Sequence, residues 1–89
     1  MVSLKSVLGK KVITSDGVYV GEVVDAEVSE DWRVVKLVVK LNRDAAKALG
    51  SRIAFRPRGA IDVLKVKGLG DYVTLSVSLA ELKEAAELL

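Results

Sequence analysis

The sequence predicts an all-β domain: a small six-stranded barrel with a short helix after the third strand and a second helix at the C-terminal end. Valine occurs 16 times and isoleucine three times among the 89 residues, and β-branched side chains favour strands over helices. Apolar and polar residues alternate along several short segments, as they do in half-buried strands. Turn residues separate these segments and no long crossover helix stands between them, which is typical of a small barrel.

The length and composition limit the kind of protein. A chain of 89 residues holds a single hydrophobic core, so we expect one domain over 1–89, with the barrel at about 8–78 and the terminal helix at about 79–89. Histidine and cysteine are absent, which excludes His- and Cys-ligated zinc, thiol nucleophiles, disulfides and imidazole-based triads. The net charge of +2 comes from 14 basic and 12 acidic residues, not from a basic tail. We expect neither catalysis nor a cofactor.

The first two strands are separated by a tight turn. The first covers Lys10–Thr14 and the second Val18–Ser29. Gly17, preceded by Ser and Asp, supplies the positive φ that such a turn needs. Gly21 lies inside the second strand, where a glycine marks a bulge or a bend. The even-numbered residues from 18 to 28 are expected on one half-buried face.

The third strand, Arg33–Leu41, is the clearest, because its odd-numbered positions from 35 to 41 are all aliphatic. We expect Trp32, in the reversal before it, to lie over the edge of the core. Asn42 and Gly50 are suited to the two ends of a short helix over Arg43–Leu49.

The second half predicts three more strands. They cover Ile53–Phe55, Ala60–Lys67 and Tyr72–Ser78, and the turn before the last contains Gly70. The final strand alternates cleanly, with positions 73, 75 and 77 apolar. Ser78 and Glu81 then have the spacing of a capping box, which starts an amphipathic helix that runs to the chain end.

Four segments resemble the PRC-barrel family. Leu8–Thr14 and Asp16–Asp25 resemble its start, with a Gly-Lys-x-Val strand, an Asp-Gly turn, a glycine at the bend and an acidic residue a few positions on. Arg33–Leu41 resembles its central hydrophobic strand. Gly70–Leu75 resembles the closing Gly-Asp-x-Val-x-Leu strand of short archaeal members. The resemblance covers Leu4–Ser78.

The resemblance implies a small barrel that serves as a non-catalytic interaction module. Relatives include a domain of the photosynthetic reaction centre H subunit and the C-terminal domain of the ribosome maturation factor RimM, which engages a small-subunit ribosomal protein. Stand-alone archaeal members are similar to this chain in length, and some are CdpB-type cell-division proteins that partner the SepF anchor of the FtsZ ring. We therefore expect an archaeal cell-division accessory protein with a SepF-type partner.

Surplus apolar residues predict a homodimer. Val34 and Val38 interrupt the lysines on the otherwise polar side of the third strand, and apolar residues on one exposed stripe form a patch typical of interfaces. The alternative is that the C-terminal helix packs on its own barrel. The candidate dimer or partner interface comprises Val34, Val38, Leu79, Leu82, Ala86 and Leu89.

The segment 52–67 has the strongest local charge asymmetry, with five basic residues against Asp62. Clustered Lys and Arg neutralise phosphates, whereas aromatic side chains for base stacking are scarce here. Protein contact, RNA contact and solvated surface all stay open for this candidate patch, which comprises Arg52, Arg56, Arg58, Lys65 and Lys67.

Two further functions stay open beside the cell-division hypothesis. One is an RNA- or ribosome-associated module that acts through the segment 52–67, and the other is a small-ligand or enzyme accessory domain. No apolar run approaches the ~18 residues that span a bilayer, and no signal peptide pattern begins the chain. We expect a cytoplasmic protein without membrane insertion.

The composition also predicts high thermal stability. Val, Lys and Glu are abundant, Gln is absent and Asn occurs once, which is similar to thermophile usage. We expect the domain to stay folded above ~80 °C, beyond the usual mesophile range. Scanning calorimetry measures this directly, and a midpoint near ~55 °C would contradict it.

Overall fold

The computed structural model describes residues 3–52 and 55–89. The described helices are α1 (Leu4–Val7), α2 (Arg43–Ala48) and α3 (Leu79–Ala85). The strands are β1 (Lys11–Ile13), β2 (Tyr19–Val28), β3 (Val34–Leu41), β4 (Arg58–Asp62), β5 (Val66–Leu69), β6 (Tyr72–Leu75) and β7 (Glu87–Leu88).

The strands form one curled sheet in the order β5-β6-β1-β2-β3-β4-β7. Strands β1 to β4 make an antiparallel meander, β5 pairs with β6 and β7 with β4, also antiparallel, and β1 pairs with β6 in parallel. The predicted all-β class and barrel are confirmed. The core inside the sheet is almost wholly aliphatic: Val7, Val12, Val20, Val23, Leu37, Val39, Leu41, Ala45, Ala46, Leu49, Ile61, Val73, Leu75, Val77 and Leu82.

The single strand predicted over Ala60–Lys67 is wrong, because the chain turns a corner in its middle. A 3₁₀ turn at Val63–Lys65 separates β4 from β5. The carboxylate of Asp62 accepts a hydrogen bond from the backbone N–H of Leu64 at 2.9 Å, which fixes the corner. The corner lets one continuous segment supply two strands on different sides of the barrel.

The C-terminal helix is shorter than predicted. Its start is confirmed, since Ser78 and Glu81 form the reciprocal capping box. The helix ends at Ala85, and the chain then adds β7 to the edge of β4, where Glu87 also pairs with Lys36 at 2.6 Å. The extended backbone of β7 pairs with the open edge of β4. A helix continued to the last residue would leave that edge unpaired.

A buried threonine ties the first turn to α3. The Thr14 hydroxyl donates to the Asp16 carboxylate and accepts from the backbone N–H of Val18 at 3.0 Å. The same Asp16 oxygen accepts from the N–H of Leu79 at 3.3 Å. The Thr14 hydrogen bond holds the pKa of Asp16 below its ordinary value. This contact therefore stabilises the fold above the ordinary carboxyl pKa and is lost as pH falls through the lowered value.

Two bulges change which side chains face inward. In β2 the register skips Val24, which is exposed. The predicted even-numbered face therefore holds at Val20 and Ala26 and fails at Val24 and Val28. In β3 the skipped residue is Val35, which is exposed although it was predicted inward. The other three predicted inward positions of that strand, residues 37, 39 and 41, are buried.

The short helix and the loop after it partly follow prediction. Asn42 caps α2 by accepting from the N–H of Ala45 at 2.7 Å, and Gly50 follows the helix with φ of 81°. The strand predicted over Ile53–Phe55 has its first two residues outside the described part of the chain, and Phe55 lies in a bend. Trp32 was expected over the core edge and is instead 88% exposed.

The glycines predicted as turn residues differ in what they require. Gly17 has φ of 80° with open space around it. Gly21 has φ of 155°, and a Cβ built there would lie 2.0 Å from the carbonyl oxygen of Lys40. Gly70 lies in the β5–β6 turn with no positive φ and no atom near an added Cβ. Of these three glycines, Gly21 is therefore the one at which the neighbouring strand leaves no room for a side chain.

These differences predict a graded series of substitutions. Gly21→Ala should lower the free energy of unfolding by about 3 kcal/mol or more, because backbone must move as well as adopt a strained φ. Gly17→Val should lower it by more than ~1 kcal/mol through φ alone. Gly70→Ala is the control, with a change within about 0.5 kcal/mol. Urea unfolding of the three variants tests the order, and equal midpoints for Gly21→Ala and Gly70→Ala would contradict it.

Candidate functional site

An apolar groove of about 360 Å³ opens at the side of the barrel where α1, β3 and β5 approach the corner after β4. Every lining side chain is aliphatic: Leu4, Val7, Val34, Leu37, Val63, Val66 and Leu69. Leu4, Val34 and Leu69 are substantially exposed, whereas Val7 and Leu37 belong to the core below. An apolar concavity that reaches from core to surface is typical of a docking site and holds no group for acid–base chemistry.

Leu64 is the next residue in the chain after Val63, which lines this groove. Its side chain is 83% exposed, and both residues lie in the 3₁₀ turn. The turn is held by the Asp62 cap on the Leu64 N–H and by the N–H of Val66, which donates to the Val63 carbonyl. Leu64 is therefore a projecting apolar side chain on a fixed backbone.

The structure divides the predicted interface residues between core and surface. Leu82 is 0% exposed and fills the centre of the barrel, and Leu79 and Ala86 pack against the core beside it. The apolar side chains of the C-terminal helix therefore pack on their own barrel, which was the alternative to a dimer interface. Leu89 is exposed at the end of the chain, and its N–H donates to the Arg58 carbonyl at 3.0 Å.

The two valines of the predicted interface also differ in their exposure. Val38 is 5% exposed and lies opposite Ala60 on β4, outside the main core cluster. Val34 lies at the surface and lines the groove. Val38 and Leu82 thus leave the candidate interface, Val34 remains, and Leu64 and Leu69 join it. Val63 and Leu64 are adjacent apolar residues inside the segment predicted as one strand, and this break in the alternation is the sequence signal for the site.

The predicted basic patch is divided by the fold. Lys65 and Lys67 lie on the corner and on β5, and the Lys65 charge acts on Glu81 of α3. Arg52, Arg56 and Arg58 lie around the entry to β4, where they meet basic residues from β3 and α2 that the sequence did not group with them: Lys40, Arg43 and Lys47. The patch is therefore two separate surfaces.

The groups with shifted pKa values stabilise structure away from the groove. The backbone N–H of Ser78 holds the pKa of Glu81 below its ordinary value, and the Glu87 carboxylate raises the pKa of Lys36. Within residues 3–52 and 55–89 no three acidic side chains come together as metal ligands would. In the same residues no helix has the length and apolar character to cross a bilayer.

One family model matches the chain. It is described as PRC-barrel domain and covers residues 1–81, from the start of the chain through β6 and into α3. No curated protein matches. The family match accounts for the barrel and includes every residue that lines the apolar groove.

The placement of two leucines gives a paired prediction. Leu82→Glu should lower the free energy of unfolding by about 4 kcal/mol or more, because it puts a carboxylate in the aliphatic core. Leu64→Glu, the same change at an exposed position, should alter it by no more than about 0.5 kcal/mol. Circular dichroism with denaturant measures both. A stable, folded Leu82→Glu would show that α3 does not fill the barrel.

Proposed function

We propose that this chain, which belongs to the PRC-barrel family, is a non-catalytic protein-interaction module that works as a homodimer through its apolar groove. PRC-barrel domains are protein-interaction modules. The observation that carries the proposal is the wholly aliphatic groove, in which the lining residue Val63 is followed by an 83% exposed leucine.

A second copy of the chain suits the groove because the exposed Leu64 directly follows the groove residue Val63 in the chain. In a two-fold arrangement each surface meets its own copy, so Leu64 of each protomer enters the groove of the other. Leu4, Val34 and Leu69 then lose their solvent exposure together with Leu64. Burial of the two Leu64 side chains contributes roughly 3–6 kcal/mol before the cost of association, at ~1.5–3 kcal/mol each. With the groove residues added, the dimer should form in the micromolar range.

The cellular role that we propose is that of an archaeal cell-division accessory protein in the cytoplasm, with a SepF-type protein as partner. The short PRC-barrel proteins that the sequence resembles support this role. A two-fold dimer presents two copies of any partner site, which strengthens attachment to a polymeric division ring by avidity. The partner should therefore bind the dimer more tightly than the monomer.

The dimer is tested with Leu64→Glu, which should shift the mass from dimer to monomer across about 1–100 µM without unfolding the chain. Sedimentation equilibrium measures the mass. Phe55→Glu is the matched control, because Phe55 is 75% exposed and lies outside the groove lining.

Three results would contradict this proposal. A wild-type mass of 9.6 kDa over the whole range removes the dimer. A Leu64→Glu variant that stays dimeric moves the interface elsewhere, and equal effects of both variants show that any added charge disrupts it. Titration of a purified SepF-type protein against wild type and Leu64→Glu then tests the partner, and no binding to either removes the cell-division role alone.

A further inference from the structure

A second surface, the cationic face, surrounds the C-terminal end of β3 on the part of the barrel that the groove residues do not line. It comprises Lys40, Arg43, Lys47, Arg52, Arg56 and Arg58. Three adjoining shallow grooves connect these residues. Arg43, Lys47 and Arg52 line the first; Lys40, Arg56 and Arg58 line the second; and the third shares Lys40 with the second and Leu41 with the first.

The cationic face concentrates charge that the chain as a whole does not have. With Glu22 opposite Lys40 and Asp44 on α2 included, it carries four net positive charges, whereas the chain carries +2. The remaining surface is therefore net negative. A positive field that is confined to one face attracts an extended polyanion to that face. It does not make the whole surface attractive to acidic molecules.

The six basic side chains lack carboxylate partners among the described residues, where the ion pairs are Arg33–Asp31 and Lys36–Glu87. Lys36 lies four residues from Lys40 on the same side of β3 and pairs with Glu87 at 2.6 Å. Glu22, the neighbour of Lys40 on β2, forms no ion pair with it. On its β4 side Lys40 lies directly opposite Arg58. Like charges in that arrangement destabilise a sheet. A bound anion would relieve the repulsion.

An aromatic platform stands at the edge of this face. Phe55 is 75% exposed, and the Arg56 guanidinium lies 5.0 Å from the centre of its ring. Arg56 adopts φ of 52°, a conformation unusual for a residue with a side chain. Exposed rings and guanidinium planes are the groups on which unpaired bases stack.

We infer that the cationic face binds single-stranded nucleic acid, with its basic side chains on the phosphates and one base stacked on Phe55 and Arg56. An acidic protein would match the charge, but it would not need the exposed Phe55 ring and the Arg56 guanidinium as a stacking surface. The site shares no residue with the apolar groove, so the inference is independent of the proposed dimer. It includes three residues of the predicted basic patch and leaves out Lys65 and Lys67.

The test is fluorescence anisotropy with labelled oligo(U) and oligo(dT) of about 12 nucleotides, a length within the range that small single-strand binding domains cover. If four side chains contact phosphates, affinity should fall roughly 50-fold between about 50 and about 200 mM salt, at a slope of ~0.7 per contact. The ratio of the two affinities shows whether the 2′-hydroxyl contributes.

Three variants separate charge from stacking. Lys40→Gln with Arg58→Gln should lower affinity roughly tenfold or more and reduce the salt slope by about 1.4. Phe55→Leu should lower affinity by roughly fivefold or more with the slope unchanged, because only stacking is lost. Lys5→Gln with Lys83→Gln is the control, since both lysines are exposed and lie outside the cationic face.

Any one of several outcomes would overturn the inference. These are no saturable binding at about 50 mM salt, equal losses in the test and control double variants, an unchanged affinity in Phe55→Leu, and displacement of the oligonucleotide by polyglutamate at equal charge concentration. The last would assign the face to an acidic protein partner. A duplex bound as tightly as the single strand would remove the stacked base.

Discussion

The absence of a side chain at Gly21 is the constraint on which the barrel depends. Gly21 is paired with Val12 in β1 and with Leu41 in β3, so both neighbours of β2 are placed by one residue. Its φ of 155° and the close carbonyl of Lys40 leave no room for a Cβ. On either side of it, Val20 and Val23 face the core, a pattern that a regular strand cannot produce. Gly21 also pairs with Leu41, the last residue of β3, which lines two of the grooves of the cationic face.

Local sequence signals predicted the parts of the fold that local chemistry determines. The caps at Asn42 and Ser78 and the turn at Gly17 were identified, because each depends on a backbone group within a few residues. The bend at Gly21 was identified because a glycine interrupts a strand pattern, although the Lys40 carbonyl that excludes a side chain there is distant in sequence. The buried face of β6 was predicted for a similar reason, since a regular strand keeps its period of two.

Other features depend on pairing partners that the sequence does not specify. The bulges at Val24 and Val35 come from register with the neighbouring strand, so alternation alone gave the wrong face. The end of α3 is set by the free edge of β4, which a helical period cannot reveal. The candidate site was predicted in small part: Val34 lies in the groove, but Leu82 and Val38 are buried. The basic residues were grouped by sequence distance, whereas the sheet brings Lys40 to Arg58 and separates both from Lys67.

The parallel pairing of β1 with β6 has a consequence for how the chain folds during synthesis. Lys11 lies opposite Tyr72, so one side of the first strand has no neighbour until β6 has been translated. The meander from β1 to β4 consists of sequence-local pairings that form early, whereas joining β1 to β6 requires closure of a long loop. Until then the edge of β1 is open, and unpaired strand edges are where incomplete chains associate with one another. The time between the emergence of β6 from the ribosome and its pairing with β1 therefore governs how much of the nascent protein escapes aggregation.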